Sequence, residues 1–379
     1  MRLVGVLGGG QLGRMLALAG IPLDIRFRFL DHARDACARD VGEMVVGEFD
    51  DRDALRRLSA GCDVVTYEFE NVPAKSVRVI DEAAGRGLCL PGSRSLEVTQ
   101  DRLSEKRLFE ECGAAVVAHE AVDSREEMRA AAARIGLPAV LKTRRLGYDG
   151  KGQVLIRDDR ELDQAWNRLE SAAGRGGLIL ERFIAFRREV SMIAARFADG
   201  SSAFFPLTEN VHRDGILHTS RVRPQDRGSA VERSAEAAVQ RVMEALGHVG
   251  VLTVEFFETD EGLLANEFAP RVHNSGHWTI EGAEVSQFEM HLRAIGAAPG
   301  SSAARAPARI SAIGHAAMVN LVGRVPDVKE LLEVRGARVH LYGKEPRAGR
   351  KLGHVTIRAE SERELEASLA RVRHLVGGP

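Results

Sequence analysis

Two glutamates, Glu255 and Glu267, are the residues of this chain whose spacing points most directly to chemistry. Residues 251–257 are rich in branched and aromatic side chains and predict a strand. A second apolar run, 263–268, follows the polar stretch Asp260-Glu261-Gly262. A three-residue hairpin loop that ends in glycine would join the two strands. This loop places the two glutamates directly opposite each other on one face, with Cβ atoms roughly 4.5–5.5 Å apart.

Two carboxylates at this separation repel each other. At about 5 Å and an effective dielectric constant near 20, the repulsion is roughly 3 kcal/mol. A hard divalent cation bound by carboxylate oxygens would remove it, and Mg²⁺ carried in with a nucleotide phosphate fits best. The alternative, a solvated acidic hairpin tip, agrees less well with strands this apolar. The pair therefore predicts the metal site of an enzyme.

A glycine-rich loop follows a short apolar strand that ends at Lys142. The loop, 144–153, contains three glycines and three cationic side chains, and a return strand comes directly after it. This composition predicts a flap whose N–H groups and charges fold over a polyphosphate, with Lys142 reaching the same phosphates. An exposed basic hairpin is the alternative. In the next strand, 178–184, Glu181 could meet the edge of an adenine, with Glu189 near the ribose.

A second glycine-rich turn, Gly8-Gly9-Gly10-Gln11-Leu12-Gly13, directly follows the first predicted strand, and Asp31 ends the next one. The pattern matches a dinucleotide fingerprint and leaves a nicotinamide cofactor open. A tight turn without a ligand is also possible. We favour a phosphate site for a small phosphorylated substrate, because free N–H groups at a helix N-terminus attract anions.

Composition narrows the class of protein. The chain has 379 residues, 44% apolar and 28% charged, with a formal net charge of −1. These values indicate a globular protein with no general attraction to nucleic acid. Four widely spaced cysteines and the absence of an export signal favour a cytoplasmic location. No apolar run approaches the about 18 residues that span a bilayer, so we expect no membrane partner.

The order of predicted elements gives an α/β protein of three regions. Alternating strands and helices predict a Rossmann-like parallel sheet in residues 1–98. A larger mixed region covers 99–300, and a small α+β region covers 301–379 after a Pro-, Gly- and Ser-rich linker. The strands expected in the first region are Leu3–Leu7, Arg26–Leu30, Met44–Val46, Asp63–Tyr67 and Gly87–Cys89.

These features together resemble the ATP-grasp ligases, and more closely the 5-(carboxyamino)imidazole ribonucleotide synthetases of purine biosynthesis. The resemblance covers nearly the whole chain, and the most specific of its motifs is the run 269–279. The other matching segments are 8–15, 67–73, 101–102, 147–153, 212–216, 266–268 and 349–354. Two arginines in the second strand and Glu209 depart from the family pattern.

The resemblance implies an ATP-grasp fold with an N-terminal pre-ATP-grasp domain, and it implies a homodimer. In that family ATP phosphorylates bicarbonate, and carboxyphosphate passes its carboxyl group to the amine of 5-aminoimidazole ribonucleotide. The implied ATP contacts are Arg102, Lys142, Gly147, Tyr148, Asp149, Gly150, Lys151, Gly152, Gln153, Glu181, Arg182, Phe183, Ile184, Glu189, His212, Asn266 and Glu267. Mg²⁺ would lie between Glu255 and Glu267.

The resemblance also implies a substrate site and a catalytic set. The expected substrate contacts are Gly10, Gln11, Leu12, Gly13, Glu68, Glu70, Asn274, Ser275, Arg350 and Lys351. The expected catalytic residues are Arg271, His273, Lys351, Tyr148 and Asp149. Arg271 would bind bicarbonate, and either His273 or Asp149 would take the proton that the attacking amine loses, directly or through released phosphate. A purely structural hydrogen-bonding role for His273 is the alternative.

Three other functions stay open at this point. An NAD-dependent dehydrogenase rests on the first glycine turn alone. A non-catalytic nucleotide sensor has less need of a paired-carboxylate metal site. Within the ligases, a formate-dependent glycinamide ribonucleotide transformylase is the nearest alternative, because it differs in substrate rather than in machinery.

Overall fold

The computed structural model describes residues 2–147, 152–298 and 307–377. The flap residues Tyr148 to Lys151 and most of the predicted linker lie outside these ranges. No helix within them is long and apolar enough to cross a membrane.

The N-terminal region is a four-stranded parallel sheet with the strand order β3-β2-β1-β4. Its elements are β1 (Arg2–Leu7), α1 (Gln11–Gly20), β2 (Ile25–Asp31), β3 (Glu43–Val46), α2 (Arg52–Ser59), β4 (Val64–Tyr67), α3 (Ala74–Ala84) and α4 (Ser93–Thr99). The expected strand Gly87–Cys89 is wrong, since only Cys89 forms a single bridge, to Val65. Pro91 follows closely and has no N–H group to extend the pairing.

An arginine within β2 has a structural explanation. The guanidinium of Arg28 donates to the carbonyl oxygens of Leu58 and Ala60 at 3.2 and 2.6 Å, and to Glu43 at 2.8 Å. The last carbonyl groups of a helix have no partner within the helix. Arg28 therefore stabilises the C-terminal end of α2. Its departure from the family pattern affects how α2 packs on the sheet.

The next part of the chain forms a four-stranded antiparallel sheet with the order β5-β8-β6-β7. Its elements are α5 (Arg102–Glu111), β5 (His119–Val122), α6 (Arg125–Ile135), β6 (Ala139–Thr143), β7 (Gln153–Ile156), α7 (Leu162–Gly176) and β8 (Leu178–Arg182). Asp101 caps the N-terminus of α5, because its carboxylate accepts the N–H of Leu103 at 3.0 Å. The strand expected over 178–184 ends at Arg182, so Phe183 and Ile184 lie beyond it.

A large sheet joins the middle of the chain to its C-terminal part. Its path is β14-β13-β9-β11-β12-β15-β17-β16, and β10 pairs with β9. The elements are β9 (Arg188–Arg196), β10 (Ser202–Phe204), β11 (Thr208–Arg213), β12 (Ile216–Val222), α8 (Ala230–Leu246), β13 (Gly250–Thr259), β14 (Gly262–Ala269), α9 (Thr279–Gly282), α10 (Gln287–Ala294), β15 (His315–Val322), α11 (Val328–Leu332), β16 (Ala337–Leu341), β17 (Lys351–Ala359) and α12 (Glu362–Leu375). The C-terminal strands thus continue the central sheet through the β12–β15 pairing.

A shared hydrophobic core holds the N-terminal sheet against the central sheet. Val4 and Phe27 belong to the same buried cluster as Ile193 and Trp278. Trp278 is fully buried, and its indole N–H donates to Thr208 at 3.1 Å. The docking leaves a cleft of about 780 Å³ whose walls come from all three parts of the chain.

Candidate active site

The two glutamates predicted to face each other do so. Glu255 of β13 pairs directly with Glu267 of β14, which confirms the expected pairing. The expected loop is wrong, however, because Thr259 pairs with Gly262 and the turn has two residues. A β-bulge after Glu255 then leaves Asn266 as the extra residue of β14. The bulge restores the alignment that a three-residue loop would have produced.

The two carboxylates lie in different electrostatic environments. Burial raises the pKa of Glu255 to about 7, His212 opposes this rise and the charge of Glu267 adds to it. Burial also acts on Glu267, but the Arg102 guanidinium, 2.9 Å away, holds the pKa of Glu267 below its ordinary value. Glu267 therefore pairs with Arg102, whereas His212 and Lys351 act on Glu255 through their charge.

The chemistry of this corner fits a hard divalent cation. Its donors are two carboxylates, and Oδ1 of Asn266 is buried without a hydrogen-bond partner in the described part of the chain. Mg²⁺ takes oxygen ligands and keeps several from water or phosphate. Residues 2–147, 152–298 and 307–377 hold no group of three or more His, Cys, Asp or Glu side chains able to ligate a metal. The protein thus offers part of a coordination shell, which phosphate oxygens would complete.

Glu181 is enclosed by cations. Its carboxylate is 2.6 Å from Nζ of Lys142 and 3.7 Å from Nζ of Lys106. Burial alone would raise its pKa, but Lys142 and Lys106 together lower the pKa of Glu181 to about 2. Lys142 thus pairs with Oε2, whereas Oε1 has no hydrogen-bond partner among the described residues, so contact with an adenine edge stays a prediction.

Lys106 was missed by the sequence reasoning. It is 1% exposed, and Nζ donates to the carbonyl oxygen of Asn266 at 2.7 Å. The available signal is its position, since Lys106 lies three residues from both Leu103 and Phe109 and so falls on the buried face of α5. A charge on the apolar face of a helix indicates a buried partner.

The base of the flap is attached to the start of α5. Arg144 donates to the Asp101 carboxylate at 2.6 Å, and Arg145 donates to it at 3.2 Å. These arginines were expected to face a polyphosphate, but in this structure they fix the first end of the loop. Gly147 lines the cleft, Gly152 has a positive φ of 72°, and Tyr148 to Lys151 lie outside the described residues.

The remaining expected nucleotide contacts lie along β8, β9 and β11. Arg182 and Phe183 are exposed, and the Phe183 N–H donates to the carbonyl oxygen of Pro138 at 3.0 Å. Glu189 and His212 face each other, with Nδ1 of the histidine 2.6 Å from the carboxylate. Burial lowers the pKa of His212, but Glu189 and Glu255 outweigh burial and raise it.

The first glycine turn binds a carboxylate of the chain itself. Glu68 accepts the N–H of Gly10 at 2.5 Å and the N–H of Gly13 at 2.7 Å. The helix N-terminus that was expected to bind a substrate phosphate is therefore already occupied by an anion. Gln11 and Leu12 nevertheless line the cleft.

The second glutamate of the same segment forms a different contact. Glu70 pairs with Arg271, whose Nε lies 2.6 Å from a carboxylate oxygen. Gln100 donates to the backbone carbonyl groups of Glu70 and Val72, both at 2.7 Å, and so fixes this loop. Glu70 and Arg271 both line the cleft.

A basic segment forms the wall contributed by the C-terminal region. Arg350 and Lys351, both expected substrate contacts, line the cleft together with Lys344 and Arg347. Lys344 was not predicted, and its ammonium group contacts the side-chain oxygen of Gln11. This wall supplies positive charge opposite the Glu68-capped turn.

The 273–275 segment turns back toward Glu255. Nδ1 of His273 is 2.8 Å from the hydroxyl of Ser275, and Nε2 is 3.6 Å from Glu255. Burial lowers the pKa of His273 well below its ordinary value, and Arg271 adds to this effect. Asn274 lines the cleft, whereas Ser275, an expected substrate contact, is fully buried behind it.

Comparisons with known proteins match each region of the chain to a family model. Residues 1–100 match the ribonucleotide synthetase preATP-grasp domain, and residues 107–288 match the ATP-grasp domain. Residues 316–368 match the phosphoribosylaminoimidazole carboxylase C-terminal domain.

Full-length relatives agree. The N5-carboxyaminoimidazole ribonucleotide synthase of Pseudomonas aeruginosa is 46% identical over 98% of this chain and 99% of its own length. The crystal structure of N5-carboxyaminoimidazole ribonucleotide synthetase from Thermus thermophilus is 49% identical, with a TM-score of 0.89 and 99% coverage of both chains. The Aspergillus clavatus synthase in complex with ADP and 5-aminoimidazole ribonucleotide is 29% identical, with a TM-score of 0.87, covering 99% of this chain and 98% of that one. The chain therefore belongs to the N5-carboxyaminoimidazole ribonucleotide synthase family of ATP-grasp ligases.

Proposed function

We propose that this chain uses ATP and bicarbonate to carboxylate the amine of 5-aminoimidazole ribonucleotide, giving 5-(carboxyamino)imidazole ribonucleotide, ADP and phosphate in purine biosynthesis. The observation that carries the proposal is the direct pairing of Glu255 with Glu267 in a cleft that also holds Arg271 and Lys351. One end of the cleft suits a metal-bound polyphosphate, and the other suits a phosphorylated substrate.

Bicarbonate is a poor nucleophile that the γ-phosphate repels, so catalysis requires charge neutralisation and alignment. Glu255 and Glu267 would hold Mg²⁺, which would neutralise phosphate charge. Arg102 keeps Glu267 ionised, and Lys142 lies beside Glu181 within reach of the same phosphates.

Arg271 binds bicarbonate and carboxyphosphate, because its planar fork matches these anions and Glu70 fixes its orientation. The substrate phosphate binds the basic wall of Lys344, Arg350 and Lys351. The glycine turn contributes Gln11 and Leu12, because Glu68 occupies the amide groups of Gly10 and Gly13.

Carboxyphosphate hydrolyses readily, so water must be kept from it, and the sequence assigns this role to the flap of Gly147 to Gln153, with Tyr148 and Asp149. The attacking amine loses a proton as it bonds to the carboxyl carbon. Asp149 and His273 are the two proposed acceptors.

A phosphate-release assay tests the reaction. ATP is supplied with bicarbonate or formate, and 5-aminoimidazole ribonucleotide or glycinamide ribonucleotide is added in turn. We expect rapid phosphate release and carboxylated product only with bicarbonate and 5-aminoimidazole ribonucleotide. Turnover with formate and glycinamide ribonucleotide would instead identify the transformylase reaction.

We further propose domain boundaries near residues 98 and 300 and a homodimer in solution. The ranges matched by the three family models support the boundaries. Limited proteolysis tests the boundaries, and light scattering tests the dimer, which a monomeric mass would contradict.

A further inference from the structure

A row of buried hydrogen bonds crosses the central sheet behind the paired carboxylates Glu255 and Glu267. Ser220 of β12 donates to Oδ1 of Asn210 at 2.7 Å, and Nδ2 of Asn210 donates to Ser191 of β9 at 3.0 Å. Ser191 then donates to the hydroxyl of Ser275 at 2.8 Å. The three serines and Asn210 are each at most 4% exposed, so water does not compete for these groups.

The direction of this row is set by the groups themselves. The amide of Asn210 has its oxygen toward Ser220 and its NH₂ toward Ser191, so Ser191 accepts from it. The one hydroxyl proton of Ser191 therefore goes to Ser275. Ser275 accepts this hydrogen bond, which leaves its own hydroxyl hydrogen to donate to Nδ1 of His273, 2.8 Å away.

A second donor reaches the same nitrogen. The backbone N–H of Ser275 points at Nδ1 of His273 at 3.3 Å. A ring nitrogen that accepts two donors carries no proton, so the proton of the neutral ring is on Nε2. Nε2 lies 3.6 Å from Glu255, an electrostatic contact longer than a hydrogen bond.

The backbone of His273 is also fixed. Gln287, fully buried, accepts the His273 N–H at 2.9 Å and donates to the His273 carbonyl at 2.6 Å. Both the plane of the ring and the position of its Nε2–H are therefore determined from behind the cleft.

We propose that Ser191, Asn210 and Ser275 are positioning residues that hold His273 as its Nε2–H tautomer and direct this proton at Glu255. The catalytic consequence rests on the proposed function, in which Glu255 is a magnesium ligand. Partners of this kind orient the ligand, and their removal typically lowers metal affinity or activity about 10–100-fold. His273 then does not accept the proton of the amine.

Nitrogen NMR of the full chain labelled with ¹⁵N-histidine tests the tautomer directly, without turnover. The His273→Gln variant assigns the ring signals. We expect an unprotonated Nδ1 and a protonated Nε2 for His273 at pH 7.5. A proton on Nδ1, or on both nitrogens, would overturn the inference.

Kinetics with a matched control test the consequence. Ser275→Ala removes a hydroxyl donor to a buried histidine, and Ser95→Ala does the same at His248, where the Ser95 hydroxyl lies 3.0 Å from Nδ1. We expect Ser275→Ala to lower kcat about 10–100-fold with an unchanged KM for 5-aminoimidazole ribonucleotide, and to shift the His273 ring signals. Ser95→Ala should keep the wild-type kcat. Equal kcat values for the two variants would contradict the proposal.

The two proposals fail in different ways. Absence of bicarbonate-dependent phosphate release from wild-type protein, with the Nε2–H tautomer present, would refute the proposed function and with it the catalytic consequence. The other tautomer in an active wild-type protein would refute the positioning role alone. Ser191→Ala, which removes the donor to Ser275 without touching the ring, covers the case in which Ser275→Ala fails to fold.

Discussion

The Glu68 carboxylate closes the N-terminus of α1 by accepting the N–H of Gly13 at 2.7 Å, together with that of Gly10. A helix N-terminus favours negative charge, and here the chain supplies it from the segment after β4. A Cβ atom added at Gly8 or Gly10 would collide with the Glu68 side chain. The glycines that resemble a cofactor fingerprint therefore make room for a side chain of the protein.

Replacing Glu68 should destabilise the fold. Glu68→Ala leaves two helix N–H groups without their acceptor, so we expect the free energy of unfolding to fall by about 1–3 kcal/mol. Urea denaturation measures this change, with exposed Glu48→Ala as the control. Equal stability of the two variants would show that the cap contributes nothing.

Replacing a proposed metal ligand should separate activity from stability. Glu267→Gln removes the repulsion from Glu255 and can still accept a hydrogen bond from Arg102. It also removes the charge that Arg102 stabilises, so the protein should stay folded with a somewhat lower melting temperature. ATP cleavage should be lost, because an amide binds Mg²⁺ poorly. Phosphate release measures the loss, and Glu261→Gln, at the exposed tip of the same hairpin, is the control. Near-normal turnover in Glu267→Gln would refute the metal assignment.

A change at the end of the flap should uncouple the reaction. Gly152 has φ of 72°, and a Cβ atom there would lie 2.7 Å from the Thr143 hydroxyl. The left-handed conformation alone costs a residue with a Cβ about 1–2 kcal/mol. Gly152→Ala should therefore disturb closure, so that more ATP is hydrolysed per carboxylated product. The ratio of the two products measures this, and Gly174→Ala, which meets no atom within 4 Å, should leave the ratio unchanged.

Removing a buried lysine should cost stability in a pH-dependent way. Lys106→Met leaves Glu181 paired with Lys142 alone. It also leaves the Asn266 carbonyl without its lysine donor, so we expect a loss of about 1–3 kcal/mol at pH 7. The pKa of Glu181, about 2 in the folded protein, lies below its ordinary value. Its stabilising contribution is thus present above pH 4.5 and disappears as pH falls toward 2. The difference between Lys106→Met and wild type should shrink over this interval in urea titrations, and exposed Arg107→Met should show no such difference.

Acid should destabilise the protein through buried histidines. Burial lowers the pKa of His248 to about 4. Since this pKa lies below its ordinary value, the contribution of neutral His248 to the free energy of unfolding is fully present above pH 6.5. It is lost as pH falls toward 4. Between pH 7.5 and 5 the loss from this residue is about 2 kcal/mol. His248→Asn should reduce the dependence of unfolding free energy on pH, whereas exposed His32→Asn should not.

The sequence was sufficient to predict that Glu255 and Glu267 pair, although the three-residue loop assumed in that prediction is wrong. Hydrophobic patterning located both strands of the hairpin, and the motifs located the three regions. The two-residue turn and the bulge at Asn266 were not predictable, because their effects on register cancel and leave no trace in the spacing.

Contacts between distant residues were harder to predict. Glu68 lies 55 residues from Gly13, and no local pattern shows that its carboxylate caps α1. Lys106 did carry a signal, since it lies on the apolar face of α5. Its partner Glu181, however, lies in β8, 75 residues further along the chain, and no local pattern connects the two. Periodicity reports which face of an element is buried and is silent about what covers it.

The pairing of Thr219 with Val319 joins β12 to β15, so the C-terminal region is part of the central sheet. An expressed fragment that stops before residue 307 would leave the long edge of β12 without its neighbour. Exposed strand edges pair with other chains. Such a fragment would form aggregates rather than a minimal ATPase, so useful truncations of this protein must keep β15, β16 and β17.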